Sequence, residues 1–422
     1  MGDDMDIQHK IIRDSIHGNI RIDGLFLELV DTPEVQRLYN IKQLGLAHLV
    51  FPGAHHTRLE HSLGSYDIAG RISESLNLDR ETSDILRCAA LLHDIGHGPF
   101  SHTLESILRV YLNVDHVDLT EKLIFGEYNV YDDAEKAFIE TKTVSEILDN
   151  YSVDKRLITD MIHGNKTKPM FLSQIINGAV DADQLDYLLR DAYYTGVAYG
   201  LIDIERFLQT LELYDDEIAI DRKGVGVIEN ILMARALMYS SVYFHKTVRI
   251  AELMLSKSIE MIESIQPFDF FKMTDAEFII KLKNMGGYQR EIATRLKYRC
   301  LFKQAYMLMQ HQIDEEKKSI IDKLNQYDLR REKEQEFEDT LGIPRGHIII
   351  DVPARELRQS EPRLLRTNIP IVDLDEKKKL EDFTPVASAI RMRAIPDWSL
   401  MVVTDERYKE EVMKKAEKII FE

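Results

Sequence analysis

Four stretches of the chain, residues 61–78, 81–97, 171–196 and 226–264, repeat apolar side chains every three or four positions. That period is the helical one, so each stretch buries one face of an amphipathic helix, and the chain is committed to a helical core of roughly 250 residues. A helix start stands at Asp31-Thr32-Pro33-Glu34, with Asp31 or Thr32 as the cap and Pro33 in the first turn; Leu38 and Ile41 continue its apolar face. Alternation takes over in only a few places. Lys10 to Ile22 alternates on either side of His17-Gly18-Asn19 and predicts a hairpin; Glu217 to Val225 predicts a second, with Lys223-Gly224 near its turn. Residues 312–340 interleave Glu with Lys and Arg at helical spacing, which predicts a solvated helix laced by i,i+4 pairs. Past them, Gly346 to Pro353 and Ser399 to Thr404 are short β-rich runs. The expected fold is mostly α: a helical core with small β-hairpins over residues 1–265, then a smaller α+β lobe over residues 266–422.

Composition narrows the function classes. With 44% hydrophobic and 30% charged residues the chain is globular in balance, neither disordered nor collagen-like. Two cysteines, Cys88 and Cys300, are too few for a disulfide framework and lack CxxC spacing, which points to a reducing, cytoplasmic setting. The acidic N-terminus has no apolar core behind it, and no apolar run reaches ~18 residues, so neither secretion nor a membrane span is expected. The formal charge of −18 argues against holding nucleic acid by phosphate neutralisation, but it is compatible with a small polyanion carried on a metal ion.

Seven of the 14 histidines, His55, His56, His61, His93, His97, His102 and His116, fall between positions 55 and 116. A lone histidine on an apolar face is ordinarily a hydrogen-bonded core residue. The His93-Asp94 doublet at the end of the apolar run Cys88 to Leu92 is different, because a buried acid beside an imidazole is costly unless a cation or donors satisfy both. Divalent metals take a few nitrogen and oxygen ligands that converge from separate elements. His61 can supply one nitrogen, His93 and Asp94 two more ligands, and a fourth should come from another acidic helix. Asp181 to Asp191 offers one: Asp183, Tyr187 and Asp191 step by four and share a face, with Asp186 and Arg190 to its side.

These residues resemble the H…HD…D signature of the HD-domain metal phosphohydrolases, with His61, His93-Asp94 and Asp183 as its members. More closely, Ile41-Lys-Gln-Leu-Gly45, Phe51-Pro-Gly-Ala54, Arg58-Leu-Glu-His-Ser-Leu-Gly64, His93 to His102 and Asp181 to Asp191 resemble the deoxynucleoside triphosphate triphosphohydrolase branch, well over residues 8–260 and more faintly beyond. The resemblance implies a helical HD-domain core, one divalent metal (Mn, Fe, Ni or Zn, with Mg possible on the triphosphate), and water attack at the α-phosphorus of a dNTP that leaves inorganic triphosphate. It places His97, Glu105 and His116 as proton-transfer groups, Arg58, His102, Arg235 and Lys246 against the triphosphate, and Gln43, Leu44, Tyr187 and Asp191 around the deoxyribose. Tyr243 lies between Arg235 and Lys246, which the spacing puts along one long helix.

Lys10, Asp31 and Gln36 match regulatory positions, whereas Tyr39 stands where guanine-activated relatives have arginine, and Gln184 where relatives often have lysine. The resemblance also implies a homo-oligomer, a dimer or tetramer. Two other functions fit the same residues: hydrolysis of another nucleotide phosphoester, and a nucleotide-gated module that binds nucleic acid.

Overall fold

The computed structural model describes residues 9–100, 103, 114–262, 270–353, 366–392 and 398–422. The first hairpin forms as the alternation predicts. Strand β1 (His9–Asp14) pairs antiparallel with β2 (Gly18–Asp23), and Ile20 and Ile22 are buried in the main core. Its turn is closed by Asp14, whose carboxylate accepts from the Ile16 and His17 amides at 2.8 Å each. Helix α1 (Leu25–Val30) leads to α2 (Pro33–Arg37), where Thr32 is the cap and accepts from the Val35 amide.

The helices that carry the histidines start on strong local signals. Helix α3 (Arg58–Ser75) opens with a capping box between Thr57 and Glu60, α4 (Arg80–Leu92) is capped by Asp79, and α5 (His116–Phe125) opens with a box between Asp115 and Asp118. Three expected helices are broken, and residues 312–340 divide after Leu324. Residues 171–196 form α6 (Phe171–Asn177) and α7 (Ala182–Thr195), because Gly178 turns extended and Asp181 caps α7 by accepting from the Gln184 amide at 2.9 Å. Residues 226–264 form α8 (Val225–Met238), which runs on as a π turn to Tyr243, and α9 (Lys246–Glu260), capped by the His245 side chain. Arg235 and Lys246 therefore do not share a helix. The run Arg222–Tyr243 is long and apolar enough to cross a membrane by composition, yet Ile228, Ile231, Leu232, Met238 and Val242 pack into the main core.

The second hairpin turns earlier than Lys223-Gly224. It joins β3 (Leu211–Tyr214) to β4 (Glu217–Asp221) through Asp215 and Asp216, both left-handed at φ 50° and 61°, a conformation short aspartates tolerate. Residues Arg222–Gly224 are instead a single turn that feeds α8.

The C-terminal part builds two further layers from α10 (Asp275–Met285), α11 (Gly287–Lys297), β5 (Lys303–Met309), α12 (Glu315–Leu324), α13 (Tyr327–Leu341), β6 (Ile348–Asp351), β7 (Pro370–Asp373), β8 (Glu376–Lys379), α14 (Val386–Arg391), β9 (Trp398–Thr404) and α15 (Lys409–Phe421). The sheet runs in the order β5, β9, β6. Strand β9 is buried on both faces: Met401 and Val403 join the α9, α10 and α11 core, while Leu400 and Val402 join the α12, α13 and α15 core.

Helix α13 is not wholly solvated. On its inner face Glu334 accepts from the Ile350 amide and pairs with Lys257, and Glu338 accepts from the Gly346 amide. Nor does packing divide at residue 265. Strand β7 pairs in parallel with β4, and Ile369, Ile371, Leu380, Ala387 and Ile390 lie in the main core.

Candidate metal centre

His61 sits in the first turn of α3, His93-Asp94 follows α4, and Asp183 sits in the first turn of α7. The fold brings these three ends together. His61 Nε2 lies 3.2 Å from His93 Nε2, 3.1 Å from Asp183 Oδ1 and 4.0 Å from Asp94 Oδ2. His93 Nε2 lies 3.3 Å from Asp94 Oδ1 and 3.8 Å from Asp183 Oδ1.

The outer nitrogens decide what the inner ones offer. His61 Nδ1 faces Asp186 Oδ2 at 2.7 Å and His93 Nδ1 faces the Ala90 carbonyl at 2.7 Å, so each Nδ1 donates its proton outward. Both Nε2 atoms then present lone pairs to one another and to a carboxylate, an arrangement that is repulsive until a cation enters. His61, His93 and Asp183 each place one ligand atom within 4.8 Å of the others. Two imidazoles with carboxylate oxygens fit Mn, Fe, Ni or Zn. Burial opposes charging His61, but hydrogen bonds to Asp183 and Asp186 and their negative charge push it up to about 10, so this position favours positive charge.

Asp94 is pulled between ligands and cations. Its Oδ2 accepts from Arg58 Nη1 at 2.5 Å and its Oδ1 is 3.2 Å from His97 Nε2. Burial opposes its ionisation, but neighbouring His93, the Arg58 guanidinium and the hydrogen bond from His97 hold the carboxyl well below its ordinary range. His97 goes the other way. Burial and the charges of Arg58 and His116 push it well below the usual imidazole value despite Asp94. Its ring stacks on His116, centroids 3.9 Å apart and planes within 12°. The loop after His97 is held by residues from two other places. Arg37 donates to the Ile95 and His97 carbonyls, and Asp275 accepts from the amide of Phe100, a left-handed residue at φ 48°.

Beside the cluster, Asp191 accepts from Tyr243 Oη and from His56 Nε2, each at 2.7 Å, and Tyr187 meets Tyr243 edge-on at 6.0 Å. The Gln43 amide donates to the His56 carbonyl, and Leu44 is half-buried between two cores. Gln43 Oε1, His56 Nδ1 and Arg58 Nε are buried with no hydrogen-bond partner among the described residues.

The remaining expected contacts fall elsewhere or outside the described residues. The Arg235 guanidinium donates to the Ala179 and Arg366 carbonyls and to Gln184 Oε1, so the glutamine in the lysine position holds Arg235. Lys246 Nζ donates to Gln304 at 3.0 Å. Lys10 and Asp31, two of the residues that match regulatory positions, pair at 3.4 Å, and the third, Gln36, donates to the Val30 carbonyl next to Asp31. His102 and Glu105 lie outside the described residues.

Sequence reasoning gave no site role to His17, Asp14, Arg37 or Asp275, counted His56 only as one of the clustered histidines, and noted Asp186 and Arg190 only as neighbours on the helix. An acid and an arginine four apart inside an apolar run is a signal for the last pair; His17 touches Asp186 across 169 residues, which no local pattern reports. A second group of metal-ligating side chains, Glu291, His347 and Asp405, already surrounds a cation, because Arg295 donates to both Glu291 and Asp405.

The chain matches the family described as HD domain over residues 58–191 and that described as HD associated region over residues 202–421. It is 35% identical over 411 residues to an uncharacterized protein of Methanocaldococcus jannaschii, covering 95% of this chain and 80% of that one. To the human protein named deoxynucleoside triphosphate triphosphohydrolase SAMHD1 it is 29% identical over 411 residues, covering 89% of this chain and 61% of that one. Its structure is similar to the crystal structure of a hypothetical protein from Aquifex aeolicus, with TM-score 0.72, 29% identity, and 97% and 100% of the two chains covered. It is also similar to a phosphohydrolase from Bacteroides thetaiotaomicron, with TM-score 0.70, 26% identity, and 94% and 100% covered.

Proposed function

The chain belongs to the HD-domain family, with the HD associated region after it, and from that premise we propose that it is a metal-dependent hydrolase that splits deoxynucleoside triphosphates into deoxynucleoside and inorganic triphosphate. The observation that carries the proposal is the meeting of His61, His93 and Asp183, with both imidazole Nε2 atoms turned inward beside Asp94. A divalent ion held by His61, His93, Asp94 and Asp183 would supply Lewis-acid chemistry, polarising a phosphoryl oxygen and making water a stronger nucleophile at neutral pH.

The chain's own groups do the rest. Arg58 keeps Asp94 ionised through Nη1 and has a buried Nε donor with no partner among the described residues, suited to a phosphate oxygen. His97, kept neutral by burial and by Arg58, accepts a proton from the attacking water, and His116 stacked on it is placed to return one to the leaving 5′ oxygen. Asp191, gripped on both oxygens by His56 and Tyr243, and Gln43 Oε1, which has no partner among the described residues, are suited to the 3′-hydroxyl, while the Tyr187 ring crowds the 2′ carbon. The curated relatives named as deoxynucleoside triphosphate triphosphohydrolases support this choice of substrate.

The test is a nucleotide panel on metal-loaded protein. Inorganic triphosphate should form from dNTPs, Asp183→Ala should lose both the metal and the activity, and Tyr187→Ala should admit ribonucleotides. Monophosphate or orthophosphate as the first product would contradict the proposal. So would full metal content in Asp183→Ala.

A further inference from the structure

The N-terminal hairpin ends inside the metal centre's outer layer. His17 Nε2, in the turn after β1, lies 2.7 Å from Asp186 Oδ1, and the other oxygen of that carboxylate receives His61 Nδ1 at 2.7 Å. Arg190 forks the same carboxylate, Nε to Oδ2 and Nη2 to Oδ1 at 2.9 Å each, and reaches back to Asp14 with Nη1 at 2.8 Å and Nη2 at 3.2 Å. Asp14 in turn holds the backbone amide of His17, which closes the ring of contacts. All four side chains are nearly fully buried. The space around them is already spent, since a Cβ on Gly64 would stand 1.8 Å from Asp186 Oδ1 and 2.5 Å from Arg190 Nη2.

A carboxylate behind a metal-ligating histidine fixes its tautomer and ring orientation and raises its basicity. Asp186 does this for His61 only while it stays aimed at Nδ1. Its own aim is set by Arg190 and His17, and Arg190 by Asp14. Two of those residues lie in the hairpin, well before residue 58, where the match to the HD domain begins.

We propose that the hairpin is an outer shell of the metal centre: His17 and Asp14 are positioning residues that, through Asp186 and Arg190, hold His61 ready to ligate and so set the affinity for the ion. This rests on the metal assignment above but not on the identity of the substrate.

The test uses the full chain stripped with a chelator and titrated with Co²⁺, read by equilibrium dialysis and by the visible absorption of the bound ion. His17→Ala should bind Co²⁺ roughly 10- to 100-fold more weakly than wild type and change the absorption bands, and His17→Gln, which keeps an N–H donor, should recover most of the loss. Asp14→Asn keeps an acceptor for the turn amides and removes the negative charge that faces Arg190, so it should weaken binding in the same direction. A role confined to folding would lower the melting temperature of the metal-free variants and leave the dissociation constant alone. Binding within about twofold of wild type in folded His17→Ala and Asp14→Asn would overturn the inference while leaving the metal assignment standing. Wild-type protein that binds no Co²⁺ would overturn both.

Discussion

At the scale of single residues, the site is a matter of which atom each charged group is left to face. His61, His93, Asp94 and Asp183 were legible in the sequence because two imidazoles and two acids interrupt apolar helical patterns, and interruptions of that kind need a physical reason. His17 and His56 were not legible, since each acts on an aspartate more than 130 positions away, Asp186 and Asp191. Elsewhere the same accounting exposes a liability. Glu34 is buried on α2, its Oε2 has no partner among the described residues, and burial outweighs the backbone hydrogen bonds to raise its carboxyl to about 6. The native state therefore holds this proton more tightly than the unfolded chain. The resulting stabilisation is full below about pH 4.5 and is lost as pH rises through 6, about 2 kcal/mol in all. Glu34→Gln should match wild type near pH 4.5 and be more stable by up to about 2 kcal/mol at pH 8, as read from urea unfolding at both pH values. A variant less stable than wild type at pH 8 would show that the ionised carboxylate is satisfied.

At the scale of elements, periodicity gave the helices and missed their breaks. A three-to-four apolar repeat survives across Gly178 to Asp181, where α6 and α7 both pack into the main core, and across Phe244 to His245, where α8 packs into the main core and α9 into the core it shares with α10 and α11. The caps carry the information that the period lacks. Asp181 is a cap residue by type, and His245 does the same work through an imidazole nitrogen, which no cap preference singles out. The contact between α3 and α7 depends on the smallest side chain, since Gly64 lets the Asp186 and Arg190 pair pass beside α3. Gly64→Ala should cost about 1–3 kcal/mol of stability as an overpacking change, and also weaken metal binding by displacing Asp186 from His61. Urea unfolding and Co²⁺ titration of the same sample check the two effects. An unchanged dissociation constant beside the lost stability would separate packing from ligation.

At the scale of the whole molecule, the expected boundary at residue 265 does not coincide with a gap in packing. A composition change marks where strands begin, but it cannot show that residues 366–391 return to the first core, with β7 laid along β4 and α14 against α8. Such returns are invisible in local pattern because the pairing of Ile220 with Ile371 joins positions far apart in the sequence. A protein cut after residue 265 should consequently lack a cooperative unfolding transition, since Ile369, Ile371, Leu380, Ala387 and Ile390 leave the core together. Circular dichroism through a urea series reads this directly; a sharp transition in the fragment would restore an autonomous N-terminal domain.

The central claim is that water attacks the α-phosphorus of a deoxynucleotide at the centre formed by α3, α4 and α7. Hydrolysis of a dNTP in ¹⁸O-labelled water, with the products separated and weighed by mass spectrometry, tests it most directly. The account predicts one labelled oxygen in inorganic triphosphate and none in the deoxynucleoside. Label in orthophosphate or in a nucleoside monophosphate, with no triphosphate formed, would contradict it.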